Sequence, residues 1–280
     1  MNIDNAIKSA ANILAKNNIK FPTLDSEILM SEVIKKDRKF IILNLDKKLE
    51  KKSLSFFRNL IRKRSKGDPI AYITGKKEFW NSEFHVEKNV LIPRPDTEIL
   101  VEEALNFSAY KNKLKILDIG VGSGCVLLSI LKEKRNFHGV GIDISKKCLD
   151  ISKINSFKLG LKDRVKFYKS DIDNFSYGKY DLIISNPPYI SQFDLKYLDK
   201  DVAHFEPKIA LSGGLDGLSE IRKVIKKSSE LIKKNGKLIL EIGFDQKDKV
   251  KRILNNKGFF INKIRRDFGN NDRCIVSTKL

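Results

Sequence analysis

Cysteine, histidine and tryptophan are scarce in this 280-residue chain, at three, three and one copies. Cys125, Cys148 and Cys274 are odd in number and far apart, so no disulfide framework is expected and a reducing cytoplasm fits. His85, His138 and His204 are equally scattered, without metal-ligand spacing, and no metal is predicted. No apolar run reaches 18 residues, which argues against a transmembrane helix. The amphipathic start MNIDNAIKSAANILAKNNIK lacks the apolar stretch of a cleavable signal and reads as part of the fold. There is no internal repeat and no long low-complexity linker.

Acidic residues are outnumbered, 35 Asp and Glu against 55 Lys and Arg, for a net charge of +20. Such an excess can attract nucleic acid or a partner bound to it. Here the lysines run from Lys8 to Lys279 without one dominant block, the pattern of solvated faces, so charge alone does not choose a substrate. An apolar fraction of 41% is enough for a real core, and the length allows one large domain or two smaller ones.

The first 67 residues or so read as wholly helical. Ile3, Ile7, Ala10 and Leu14 recur at helical spacing, and Pro22-Thr23 breaks and caps the chain before Leu24, Ile28 and Leu29. An apolar turn over 40–45 precedes a helix with Phe57, Leu60 and Ile61 on one face. Arg58, Arg62, Lys63, Arg64 and Lys66 are expected on its solvated side, and Gly67-Asp68-Pro69 ends it. Residues 69–93 change period. Glu78–Trp80, Phe84–Val86 and Val90–Ile92 read as short antiparallel strands. Asp96 or Thr97 can cap a helix from Glu98 to Phe107, and Arg94 is held stiffly between Pro93 and Pro95.

From Lys113 strands and helices alternate. Strands are predicted at 115–119, 139–143, 165–170, 181–185, 237–242, 259–265 and 274–279. Ile221, Val224, Ile225, Leu231 and Ile232 mark one helix face. The fold class is α/β, a Rossmann-like doubly wound sheet of seven strands with a small all-helical N-terminal domain. Gly269–Asp272 is too short for a crossover, so the last two strands should pair antiparallel.

Two motifs stand at predicted strand ends. Gly120-Val121-Gly122-Ser123-Gly124 lets the backbone turn tightly and approach a ligand, and Asp143 closes the next strand, where a carboxylate can accept the hydroxyls of a ribose. The spacing G-x-G-x-G departs from the dinucleotide fingerprint, so an adenosine-bearing cofactor is expected without saying which. Asp118, inside an apolar strand, needs partners and receives no proton-transfer role. Asn186-Pro187-Pro188-Tyr189 follows the buried run Leu182–Ile184. Two prolines carry the chain rigidly off the sheet and present a polar amide, free carbonyls and an aromatic ring, a set suited to gripping a planar –NH2 group.

Together the glycine loop and the Asn186–Tyr189 box resemble the class I S-adenosylmethionine-dependent methyltransferases that act on planar amino groups. Four further stretches resemble the PrmC/HemK family of peptide-chain release factor glutamine methyltransferases: Pro69–Gly75, Leu91–Glu98, Glu206-Pro207 with Ala210-Leu211, and Gly213–Leu218. The resemblance covers nearly the whole chain. It implies a helical substrate-docking domain over 1–76, a β-hairpin linker over 77–93 and a methyltransferase domain over 94–280. The implied cofactor is S-adenosyl-L-methionine, bound by Gly120, Val121, Gly122, Ser123, Gly124, Asp143, Asp171, Ile172 and Asn186. Asn186, Pro187 and Tyr189 are implied to be catalytic, and Asn186, Pro187, Pro188, Tyr189 and Arg94 to bind substrate. That substrate is the glutamine of Gly-Gly-Gln in class 1 release factors, reached in the cytoplasm without membrane or direct nucleic-acid binding. Ile172 stands where many members carry an aromatic residue on the adenine. Rival readings are an adenine or cytosine amino-methyltransferase on nucleic acid, a ribosomal-protein glutamine methyltransferase, and a non-catalytic cofactor-binding module.

Overall fold

Ile3, Ala6, Ile7, Ala10 and Leu14 form the buried face of α1 (Ile3–Lys16), which starts where the Asn2 side chain accepts from the Asn5 amide at 3.0 Å. The computed structural model describes residues 1–198 and 200–280. α2 (Pro22–Ile34) opens on a proline at its first position, where no amide is needed. α3 (Arg38–Leu43), α4 (Lys51–Arg64) and the short α5 (Ile70–Thr74) follow. Leu29, Met30, Ile41, Phe57, Leu60 and Ile61 close the core with α1.

Three expectations fail in this stretch. Residues 40–45 are not a simple turn: Asp37 caps a short helix by accepting from Phe40 N at 2.8 Å. Arg64 is not on the solvated side but buried, its Nε donating to Asp25 Oδ2 at 2.7 Å and its Nη1 to the carbonyl of Asp68 at 3.1 Å. Its charge goes inward because a buried carboxylate and the carbonyls of Gly67 and Asp68, in the turn after α4, both take its donors. Thr23 makes no side-chain cap, since Phe21 holds the capping position.

β1 (Lys76–Phe79) and β2 (Ser82–His85) form a hairpin around Trp80 and Asn81, both left-handed, as a two-residue turn requires. Phe79 and Phe84 meet edge to face at 6.1 Å within the larger core. Val90–Ile92, expected as a third strand, has no regular structure, because the chain is already turning into Pro93 and Pro95. The residues before α6 (Glu98–Phe107) form a 3-10 turn over Pro95–Thr97, and neither Asp96 nor Thr97 caps the helix by its side chain.

The rest builds one seven-stranded sheet. In chain order there follow β3 (Lys115–Ile119), α7 (Cys125–Glu133), β4 (His138–Asp143), α8 (Lys146–Lys158), β5 (Val165–Lys169), β6 (Tyr180–Ser185), α9 (Lys200–Phe205), which groups with the helical unit, α10 (Ser219–Leu231), β7 (Ile232–Glu241), α11 (Lys247–Asn256), β8 (Phe259–Arg266) and β9 (Asp272–Lys279). The strand order is β5-β4-β3-β6-β7-β9-β8, parallel up to β7, with β9 antiparallel to both β7 and β8. Ile232, read with the helix face, begins β7 opposite Tyr180.

The two-residue period sorts each strand between the layers. Leu182 and Ile184 join Ile116 and Leu127 on one side; Ile183 joins Leu238, Ile221 and Val250 on the other. Strand order reverses beside β3, so a crevice opens at the carboxyl ends of β3, β4 and β6. Contacts divide the chain into two units: residues 1–76 with α9, and the remainder, to which the hairpin belongs from residue 77. Asn155 of α8 ties that hairpin down, accepting from His85 N at 2.7 Å and donating to His85 O at 3.0 Å.

Candidate active site

The crevice holds a cavity of about 600 Å³. After β3 the chain turns through Gly120, Gly122 and Gly124, all left-handed with φ of 75°, 56° and 82°. A Cβ on Gly120 would meet nothing within 4 Å, and one on Gly122 only a carbonyl at 3.9 Å. Their backbone angles and the space in front of them, not packing, therefore favour glycine. Gly124 differs: a Cβ there would stand 2.9 Å from Leu128 Cδ1, and the residue starts α7 without lining the cavity.

Asp143 organises this loop. Its Oδ2 accepts from Gly122 N at 3.0 Å and its Oδ1 from Ser145 N at 2.8 Å. The carboxylate also lines the cavity. Burial pushes the carboxyl up from its ordinary range, and the Ser145 and Gly122 amides oppose the rise. Ser145, not Asp143, caps α8, accepting from Cys148 N at 3.3 Å. Asp118 sits beneath the loop, 4% exposed, and burial raises its pKa to about 7. Gly120, Val121, Gly122, Ser123, Asp143, Asp171 and Ile172 all line the cavity. Asp171 also accepts from Asp173 N at 2.9 Å, which aims the 3-10 turn Ile172–Asn174. Glycines without Cβ atoms, a strand-end carboxylate and the aliphatic wall of Ile172 together fit an adenosine-bearing group.

The other side of the cavity is the Asn186 box, where Asn186, Pro187 and Pro188 line the space with Arg94. Ser185 anchors its root, donating to Ile119 O at 2.7 Å. Asn186 Nδ2 donates to Thr97 Oγ1 at 3.1 Å, which turns Oδ1 the other way. Arg94 Nη2 donates to Glu206 Oε1 at 2.6 Å, so the guanidinium at the rim is already paired.

Tyr189 is placed differently from the sequence expectation. It does not line the cavity; its hydroxyl donates to Glu241 Oε1 at 3.2 Å and accepts from Arg273 Nη1 at 3.2 Å. Arg273 is held in turn by Asp267, Nη2 to Oδ2 at 2.9 Å. The box is stitched from behind as well. Ile190 N donates to Leu211 O and Gly213 N to Ile190 O, while Gln246 Nε2 donates to Tyr189 O at 2.9 Å and Gly217 O at 3.1 Å.

Thr97, Glu241, Gln246 and Arg273 were missed from sequence. Glu241 carries a readable signal, a carboxylate closing the apolar run Leu238-Ile239-Leu240, the same signal that marks Asp118. Glu241 is 2% exposed, and burial raises its pKa to about 7 against the opposing pull of Thr97, Arg273 and Tyr189. Gln246 and Arg273 carry none, because their partners are backbone groups and a phenol far away in sequence. Among the described residues no group of three or more His, Cys, Asp or Glu is placed to hold a metal, and no helix is long and apolar enough to cross a membrane.

Comparison with known proteins bears on the family and the fold. A family model described as the PrmC N-terminal domain matches residues 5–75, and one described as a methyltransferase domain matches 110–273. The release factor glutamine methyltransferase of Clostridium acetobutylicum is 42% identical over 282 residues, covering 100% of this chain and 99% of that relative. The enzyme of the same description from Buchnera aphidicola subsp. Acyrthosiphon pisum is 39% identical over 279 residues, with 100% and 99% covered. Among solved structures, a methyltransferase from Pyrococcus furiosus superposes with a TM-score of 0.53 at 16% identity, over 70% of this chain and 88% of that one, which speaks to the fold alone. The chain belongs to the release factor glutamine methyltransferase family.

Proposed function

We propose that this protein methylates the side-chain amide nitrogen of the glutamine in the Gly-Gly-Gln motif of class 1 peptide-chain release factors, using S-adenosyl-L-methionine. The observation that carries the reading is one cavity shared by the glycine cradle with Asp143 and by the Asn186-Pro187 box. In this reading Asp143 receives the ribose hydroxyls, Gly120 and Gly122 let the backbone approach, and Ile172 covers the base. When bound, the cofactor supplies an electrophilic sulfonium methyl.

An amide nitrogen is a poor nucleophile, because its lone pair is delocalised into the carbonyl. Asn186 Oδ1 and the Pro187 carbonyl each accept one N–H of the substrate amide. That fixes the plane of the –NH2 group and favours the positive charge developing on nitrogen as the N–CH3 bond forms and the S–CH3 bond breaks. Positioning does most of the work, since effective molarities of oriented reactants reach ~10⁵–10⁸ M. No strong base is required: the methylated nitrogen loses its proton to water. Pro188 keeps the turn rigid and Arg94, paired with Glu206, shapes the rim. Tyr189 acts from behind the box and not as a face for the substrate. The helical unit docks the release factor. Three free cysteines fit a reducing cytoplasm.

Labelled S-adenosylmethionine offered with a release factor, its Gln→Ala variant, DNA and a ribosomal protein tests the reading. Label entering only the intact release factor supports it; label in DNA or the ribosomal protein overturns it.

A further inference from the structure

We propose that Glu241, acting through Thr97, is the positioning residue that sets which end of the Asn186 side-chain amide faces the cavity. The inference rests on the grip assigned to Asn186 above. The two ends of that amide are nearly identical in shape, so packing alone cannot choose between them. The choice matters because Oδ1 accepts from a substrate –NH2 group, whereas Nδ2 would set donor against donor.

Counting hydrogens gives the mechanism. Thr97 Oγ1 accepts from Asn186 Nδ2, and the hydroxyl has one hydrogen of its own to place. Arg273 donates to the Tyr189 hydroxyl, so that hydroxyl must donate onward, and it does so to Glu241 Oε1. Glu241 Oε2 is buried without a hydrogen-bond partner, while the Thr97 hydroxyl lies close enough to the same carboxyl to favour its ionised form. A buried acceptor without a partner and a hydroxyl hydrogen without an assigned one thus belong to neighbouring groups. With the Thr97 hydrogen drawn to Glu241, Thr97 can only accept from Asn186, and Oδ1 is held toward the cavity. The chain has one direction, from Arg273 through Tyr189 into Glu241 and from Asn186 through Thr97 into the same carboxylate.

A glutamine at 241 would reverse it. Tyr189 remains a donor because Arg273 still donates to it, so the glutamine oxygen stays with Tyr189 and its –NH2 turns to Thr97. The Thr97 hydrogen is then released from position 241 and free to go to Asn186 Oδ1, which lets Nδ2 swing into the cavity. Protonation of Glu241 acts in the same sense. The charged and titratable groups around that carboxyl are Asp96, Arg273, Tyr189, Cys125 and Cys274, and burial outweighs them to place its titration at about 7.

The test follows the Asn186 side-chain ¹⁵N amide resonance from pH 5.5 to 9 in wild type, Glu241→Gln and Thr97→Val, alongside kcat on intact release factor. The wild-type resonance is expected to titrate with a midpoint near 7, and neither variant's is. Both variants are expected to lose about 30- to 100-fold in kcat with cofactor affinity within threefold, while Thr97→Ser stays within threefold of wild type. A wild-type resonance that does not titrate, or either isosteric variant within threefold of wild-type kcat, overturns the inference. A titrating resonance in a wild type that leaves release factor unlabelled supports the inference and refutes the proposed substrate instead.

Discussion

Gly213 packs its α-carbon against the carbonyl of Pro188 so closely that a Cβ there would stand 2.8 Å from that oxygen and 2.5 Å from the carbonyl of Gly217. Gly217, at φ 72°, is as close to Tyr189: a Cβ would lie 2.5 Å from its carbonyl. The stretch Gly213–Leu218 is therefore a backing plate for the Asn186 box. The backbone oxygens of Pro188 and Gly217 around Gly213, and of Tyr189 beside Gly217, cannot yield as a side chain would. Gly213→Ala should lower methyl transfer by at least ~10-fold, on the ground that small displacements of positioned groups are costly, with cofactor affinity within threefold. Calorimetric titration of S-adenosylmethionine beside single-turnover labelling measures both; unchanged transfer would show that the plate does not set the box.

Asn186→Ala removes one of the two acceptors for the substrate amide and leaves the loop on Asp143 intact. Transfer should fall roughly 10²- to 10³-fold, the usual cost of losing one positioned polar group, and cofactor binding should stay within a few-fold. Full activity in this variant would be incompatible with the proposed grip.

These two sites differ in how far the sequence discloses them. Asn186-Pro187-Pro188 is legible because its conformation is local: two prolines after an apolar strand dictate an abrupt exit wherever the strand lies. The sheet is legible for the same reason, each strand being a short apolar run between turn residues. Arg64 was misplaced because its partner, Asp25, is 39 residues away, and helical spacing reports only which face is apolar. The expected role of Tyr189 at the substrate rests on resemblance to a four-residue box, and such a resemblance carries residue types without the contacts each makes in this fold. The Tyr189 hydroxyl is held by Arg273 and Glu241, on β9 and β7, which the fold brings to the same side of the box.

Asp143 meets the glycine loop through Gly122 N and the start of α8 through Ser145 N. Removing the carboxylate in Asp143→Ala should loosen the loop and delete the acceptor for the ribose. Bonds to a charged group contribute about 1.5–3 kcal/mol each, so cofactor affinity should fall on the order of 10- to 100-fold. Equilibrium titration measures it, and a loss under threefold would place the ribose elsewhere.

In the helical unit the buried pair of Arg64 and Asp25 offers a stability test away from the cavity. Arg64→Ala leaves a carboxylate buried without its cation, a change that typically costs about 3–5 kcal/mol. Hydrogen exchange of the α1 and α4 amides should report a loss of that order. A change below about 1 kcal/mol would mean that neither the pair with Asp25 nor the carbonyl contacts of Arg64 hold the unit together.

Asp118 gives the last prediction, and its sign follows from burial. The folded-state pKa is near 7, above the ordinary 3.8, so between these values the folded protein binds a proton that the unfolded chain has released. Stability therefore falls as pH rises from 4 toward 7, and the cost is complete above about 7. Asp118→Asn keeps the shape and cannot ionise. At pH 8 the variant should be more stable than wild type by up to roughly 3–4 kcal/mol, and the gap should close as pH approaches 4. Urea unfolding at pH 4.5, 6 and 8 measures the difference directly. A gap that is constant with pH would mean that Asp118 ionises alike in the folded and the unfolded chain, so that burial does not raise its pKa.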